Sequence, residues 1–199
     1  IDQVVKKGGN PGQVFLGDGN AFSLKANQLL EICNYIKSSF SACNEINMDA
    51  TVTSILQKTD EDLQNLYDAG VRHLYLGIES GLDDVLEFMD KDHNQAQAAE
   101  AITRIKKVGM IFDAHIMSGV AGEGRGAENA LALADFFNKH QPQNICNFDM
   151  FLHKHTPLWE DYEAGLFRPE DAVERLTEVK VLVENIKPAP GTSVKYDAI

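Results

Sequence analysis

Two stretches of this chain, Phe15-Leu16-Gly17-Asp18-Gly19-Asn20-Ala21 and Leu74-Tyr75-Leu76-Gly77-Ile78-Glu79-Ser80-Gly81, carry apolar or aromatic runs that stop at glycines and a carboxylate. A buried parallel strand whose carboxyl end opens onto a ligand reads this way. Glycine there lets the backbone approach a bound molecule, and the carboxylate accepts from hydroxyl or amino groups. A third run, Ile111 to Val120, ends similarly in Gly119-Val120-Ala121-Gly122-Glu123-Gly124. Three such ends predict one shared site along the rim of a sheet. Glu79 follows Leu76-Gly77-Ile78 directly, so it is expected to be partly enclosed and to need a hydroxyl or a cation as partner.

Other reactive side chains promise less. His153 and His155 flank Lys154, and alternate strand residues share a face, so two imidazoles could meet one metal ion. No third ligand accompanies them, so no metal site is expected, and substrate binding is the better role for them. Cys33 shares a helical stripe with Leu29, Ile36 and Phe40, while Cys43 and Cys146 stand apart. Scattered, odd-numbered cysteines imply neither a disulfide framework nor a metal motif and fit a reducing, cytoplasmic setting.

The elements that must position these groups alternate. Strands are predicted over Gln13–Asp18, Glu45–Val52, His73–Glu79, Ile111–Gly119 and Asn144–Phe151. Helices are predicted from Ser23 to Phe40, from the acidic capping box Thr59-Asp60-Glu61-Asp62 to Gly70, over Leu82–Met89, through Ala98, Ile102 and Ile105 to Gly109, and over Glu128–Lys139. A last helix after Arg168-Pro169 carries Leu176, Val179, Val183 and Ile186 on one face. The tail from Lys187 to Ile199 reads as irregular. Strand–helix alternation demands parallel strands with right-handed crossovers, as in a complete or partial (β/α) barrel or a doubly wound sheet.

With 199 residues, 44% of them hydrophobic, the chain suits a single domain, its core spanning about residues 13 to 186. No apolar run approaches the ~20 residues of a membrane helix, so no membrane association is expected. A net charge of −12 argues against broad contact with nucleic acid.

The chain resembles the radical S-adenosylmethionine superfamily, in the branch of elongator-type enzymes and oxygen-independent coproporphyrinogen oxidase. Gly17-Asp18-Gly19-Asn20-Ala21 is similar to the glycine-rich motif whose backbone binds the cofactor's amino group. Gly77-Ile78-Glu79-Ser80-Gly81 is similar to the GIES-type motif near the ribose, and Met117-Ser118-Gly119-Val120-Ala121-Gly122-Glu123 to the glycine motif near the adenine. Thr156-Pro157-Leu158 and Glu163-Ala164-Gly165-Leu166-Phe167 also resemble segments of this branch.

The resemblance implies a partial (β/α) TIM-type barrel, of which this chain holds about five of six core strands. It implies S-adenosylmethionine bound by Gly17, Asp18, Gly19, Asp49, Glu79, Lys91, His115 and Gly119. Lys91 would meet the methionine carboxylate, and His115 and Asp49 would be polar contacts. Their alternatives are a surface lysine, a core histidine and a solvated carboxylate. The implied chemistry is reductive cleavage of the cofactor to methionine and a 5′-deoxyadenosyl radical, with flavodoxin or ferredoxin as electron donor to the parent enzyme. That chemistry needs a 4Fe–4S cluster on a CxxxCxxC motif, which these cysteines do not form. The expectation is a cluster loop upstream of Ile1 and a fragment inactive by itself. The alternatives are a degenerate, non-catalytic S-adenosylmethionine-binding or scaffold barrel and a conventional (β/α) barrel lyase. The residues do not name a substrate or catalytic groups.

Overall fold

Strands here are built from alternation. In Glu45-Ile46-Asn47-Met48-Asp49-Ala50 every second side chain is buried and the intervening polar ones are half-buried, the period-2 signature of a pleated strand covered on one face. The computed structural model describes residues 1–17 and 19–198. In chain order its elements are α1 (Asp2–Lys6), β1 (Gln13–Leu16), α2 (Ala26–Ser39), β2 (Glu45–Ala50), α3 (Val52–Leu56), α4 (Asp60–Asp68), β3 (Val71–Glu79), α5 (Asp83–Phe88), α6 (Gln95–Lys107), β4 (Ile111–Ser118), α7 (Gly126–His140), β5 (Asn144–Asp149), α8 (Pro157–Glu163), α9 (Ala172–Asn185) and β6 (Lys195–Ala198). The sheet order is β1-β2-β3-β4-β5-β6, and the β1–β2, β2–β3, β4–β5 and β5–β6 pairs are parallel.

The five expected strands are present, and a sixth lies in the tail expected to be irregular. Residues 195–198 pair with β5 from Asn144↔Lys195 to Asn147↔Ala198. Four residues with two polar side chains, just after Pro188, Pro190 and Gly191, carry no hydrophobic period. Their reason for being extended is the backbone of β5, whose donors and acceptors they pair.

Residues cluster into two compact units, Ile1–Gly77 with Gln97–Asp113 and Ile78–Ala96 with Ala114–Ile199. In the first, α2 buries Leu29, Cys33 and Ile36, the stripe its spacing predicts. Helix α4 opens on the expected capping box, Thr59 Oγ1 accepting from the Asp62 N–H and the Asp62 carboxylate accepting from the Thr59 N–H, both at 3.0 Å.

β3 contains a bulge. Its register against β2 runs Ile46↔Val71 and then Met48↔Leu74, so one residue is extra. The Asn47 side-chain oxygen accepts the His73 N–H at 3.1 Å, supplying the bond that the broken ladder lacks. The bulge resets the alternation: Leu74 and Leu76 pack inward, while His73 and Tyr75 share the half-buried face. His73 Nδ1 then lies 2.6 Å from Oδ2 of the fully buried Asp113.

That hydrogen bond raises the His73 pKa above the ordinary histidine value, against the opposing effect of burial. A folded pKa above the unfolded one stabilises the protein fully below the unfolded value, about 6.5, and the gain is lost as pH rises through the folded value. Between pH 6 and pH 8 the melting temperature is therefore expected to fall further in the native chain than in His73→Gln. Parallel melting curves across that range would remove the charge from this pair.

In the second unit, α7 and α9 pack together, but α9 turns a different face inward than its apolar period predicts. Glu178 and Leu182 are buried, whereas Leu176 is 71% and Val183 49% exposed. The apolar period loses because Glu178 has hydrogen-bond partners in the core that no aliphatic side chain could replace.

Candidate functional site

Glu79 ends β3 with a φ of 61°, a left-handed conformation that costs a non-glycine residue about 1–2 kcal/mol. The turn brings its carboxylate to Lys91, whose ammonium donates to Oε1 at 3.1 Å. The Lys91 and Glu79 side chains are 32% and 17% exposed. Two residues singled out separately in the sequence thus form one half-buried ion pair, and the partner that Glu79 was expected to need is a cation. Together they offer a carboxylate acceptor and an ammonium donor side by side, a match for a ligand carrying both hydroxyl or ammonium and carboxylate groups.

A buried network holds the turn beneath this pair. Ser80 Oγ and the Gly81 N–H both donate to Oδ1 of Asn129, at 2.7 and 2.9 Å. Asn129, on α7, donates through Nδ2 to Glu178 Oε1 at 2.7 Å. The other oxygen of Glu178 accepts the Gly119 N–H at 2.7 Å. A continuous polar chain therefore runs from the turn after β3, through α7 and α9, to the turn after β4. Burial raises the Glu178 pKa, and its bonds from Asn129 and Gly119 act in the opposite direction. Gly119 has a φ of +82°, which a side chain would strain.

Neither Asn129 nor Glu178 stands out in the sequence. The available signal was weak, a glutamate four residues before Leu182 on a helix read for its aliphatic positions.

His115 is half-buried in β4 and meets the Phe148 ring edge-on at 5.2 Å. In the first unit, Gly17 follows β1, Gly19 has a φ of +86° and Asp49 is half-buried on the face of β2 that carries Glu45 and Asn47. Asp18 lies outside the described residues. His153 and His155 are exposed and lie beyond the end of β5. His155 has a φ of 67°, so the strand geometry that would have paired their rings is absent. Among the described residues no group of three His, Cys, Asp or Glu could hold a metal ion. All three cysteines are free thiols. Cys33 is sealed in the core, where burial pushes its thiol up to about 11.

Parallel strands joined by helices, with polar groups gathered where β3 and β4 end, define an α/β protein of the partial (β/α)-barrel class. Residues 1–136 match the sequence model of the Radical SAM superfamily, and the chain belongs to that superfamily. It is 24% identical over 148 residues to the heme chaperone HemW of Buchnera aphidicola, covering 73% of this chain and 38% of that protein. It is 22% identical over 162 residues to Elongator complex protein 3 of Mus musculus, covering 79% of this chain and 29% of that protein. The chain thus spans well under half the length of these curated relatives. Among solved structures, the archaeal Methanocaldococcus infernus Elp3 superposes with a TM-score of 0.71 at 16% identity, over 99% of this chain and 50% of that one. Coproporphyrinogen III oxidase from Escherichia coli gives 0.69 at 13% identity, over 89% and 40%. These likenesses fix the fold. Among the described residues no helix is long and apolar enough to cross a membrane.

Proposed function

We propose that this chain is the S-adenosylmethionine-binding body of a cytoplasmic radical enzyme. The observation that carries the reading is the Glu79–Lys91 pair, 3.1 Å apart at the end of the GIES strand. Its groups fit the cofactor: Glu79 accepts from ribose hydroxyls and Lys91 donates to the methionine carboxylate, each exchanging part of the mutual ion pair for a ligand contact. Gly119, held by Glu178, presents backbone without a side chain at the end of β4. Gly17, Asp18, Gly19, Asp49 and His115 keep the cofactor contacts that the superfamily resemblance gives them.

The family's 4Fe–4S cluster, when bound, supplies the electron that cleaves S-adenosylmethionine. The cysteines present do not fit that cluster: Cys33 and Cys43 are buried and no two of the three have the required spacing. The residues here would bind and orient the cofactor, with the electron donor, flavodoxin or ferredoxin, and the substrate belonging to the whole enzyme.

Calorimetric titration of the chain with S-adenosylmethionine tests the reading. Removing a charge-assisted hydrogen bond costs roughly 1.5–3 kcal/mol, so Glu79→Ala should weaken binding by at least about tenfold. Equal affinity in the native and mutant chains would sink the role given to Glu79, and no binding to either would sink the function.

A further inference from the structure

Glu170 is a second buried carboxyl beside the network, and the binding reading leaves it without a task. It is 3% exposed, and neither of its oxygens has a hydrogen-bond donor. The carboxyl is seated against Gly126 at the start of α7, so closely that a Cβ there would fall 2.4 Å from Oε1. Asn129, three residues further along α7 and so on the same face as Gly126, holds the carboxyl of Glu178. Two buried carboxylates set side by side on one helix face cannot both stay ionised, because each charge raises the cost of the other. Glu178 already accepts from the Asn129 amide and the Gly119 N–H, bonds that favour its ionised form. The proton therefore belongs on Glu170, where it becomes the missing donor and points at Glu178.

We propose that Glu170 and Glu178 hold one proton between them and, with Asn129, act as positioning residues for the turns that carry Glu79 and Gly119. With the proton in place, Glu178 is a single anion gripping both turns. When the proton leaves, a second buried charge sits against the first and the grip loosens. The surrounding charges agree with this placement. Burial and the charges of Glu178 and Glu174 push Glu170 up to about 7, with Arg175 opposing. Asp149, on β5, also raises Glu178. Tyr196, on β6, is itself raised by burial and by the charges of Glu178 and Asp149. Arg175, the cation of this set, lies 3.7 Å from Asp149 and is shared with it. Arg168, two residues before Glu170, is exposed and faces Glu123 at 3.9 Å.

For its ligand consequence the inference rests on the S-adenosylmethionine reading. Its own test does not. Amide hydrogen exchange of the chain at pH 6 and pH 8, corrected for the intrinsic base-catalysed rate, reads the Gly81 and Gly119 N–H groups directly. The native protein should lose about tenfold protection at both amides between the two pH values, the equivalent of one hydrogen bond. Glu170→Gln keeps a donor aimed at Glu178 and does not titrate, so its protection should be the same at both values. Glu170→Met, which also does not titrate, gives the same comparison if the glutamine variant folds poorly. Flat protection in the native protein, or an unchanged pH dependence in both variants, overturns the proposal. A purely structural role would lower protection in the variants at both pH values without removing the dependence. S-adenosylmethionine titrated at the same two values should bind the native chain several-fold more weakly at pH 8, with a smaller change in Glu170→Gln. No binding at either pH would refute the cofactor reading alone, while the exchange result would still decide the shared proton.

Discussion

Replacing Gly81 with alanine is expected to destabilise the chain by about 3 kcal/mol, near the upper end of the usual cost of overpacking. The new Cβ would lie 2.4 Å from the Leu133 nitrogen and 2.7 Å from the carbonyl carbon and Cβ of Ala132. Most of these atoms are helix backbone, which cannot step aside without breaking the ladder of α7. Moving the turn instead would stretch the Gly81 N–H bond to Asn129, itself worth about 1 kcal/mol. For a chain of this size the melting temperature should drop by roughly 6–12 °C. Gly19→Ala is the informative comparison. A Cβ at Gly19 would meet nothing within 4 Å, and only the φ of +86° opposes the change, so about 1 kcal/mol is expected. A Gly81→Ala protein as stable as Gly19→Ala would mean that the turn does not press on α7.

Gly81 also shows what a sequence can and cannot reveal about a site. The glycine after Glu79-Ser80 suggests a backbone brought close to a ligand. The close approach is real, but its partner is the backbone of α7, a contact between segments about fifty residues apart. Local signals fared better. Thr59 and Asp62 cap α4 through bonds three residues apart, and the Leu29-Cys33-Ile36 stripe follows from helical period alone.

Features set by distant neighbours were hidden. The bulge in β3 depends on Asn47 reaching His73, and β6 exists because β5 offers it a free edge. Glu178 is buried because Asn129 and Gly119 point donors at it. In the candidate site, Glu79 and Lys91 were each legible from the motif and its surroundings. Their union at 3.1 Å required the turn at Asp90, whose φ is 52°. Sequence therefore exposed the paired groups of the candidate site and concealed those that hold them in place.

Asn129 is the residue on which that concealed support converges, and its replacement tests it most severely. Asn129→Leu keeps the branching and the number of heavy atoms but removes the acceptor shared by Ser80 Oγ and the Gly81 N–H, and one of the two N–H donors to Glu178. Leaving a buried charge short of a partner costs about 3–5 kcal/mol, so the variant should be largely unfolded or melt far below the native chain. Asn129→Asp separates the two halves of that loss. It keeps an acceptor for Ser80 and Gly81 but sets a carboxyl against Glu178, so one of the pair must carry a proton. Its folded pKa would be raised, and the stability it retains should be present below the ordinary carboxyl range and lost as pH rises through the folded value. Urea unfolding at pH 5 and pH 8 should therefore show the aspartate variant recovering at pH 5 and the leucine variant failing at both. If both variants respond alike to pH, Asn129 serves as packing rather than as the junction between the two turns. If only aspartate recovers, the grip on the turns at Gly81 and Gly119 is electrostatic.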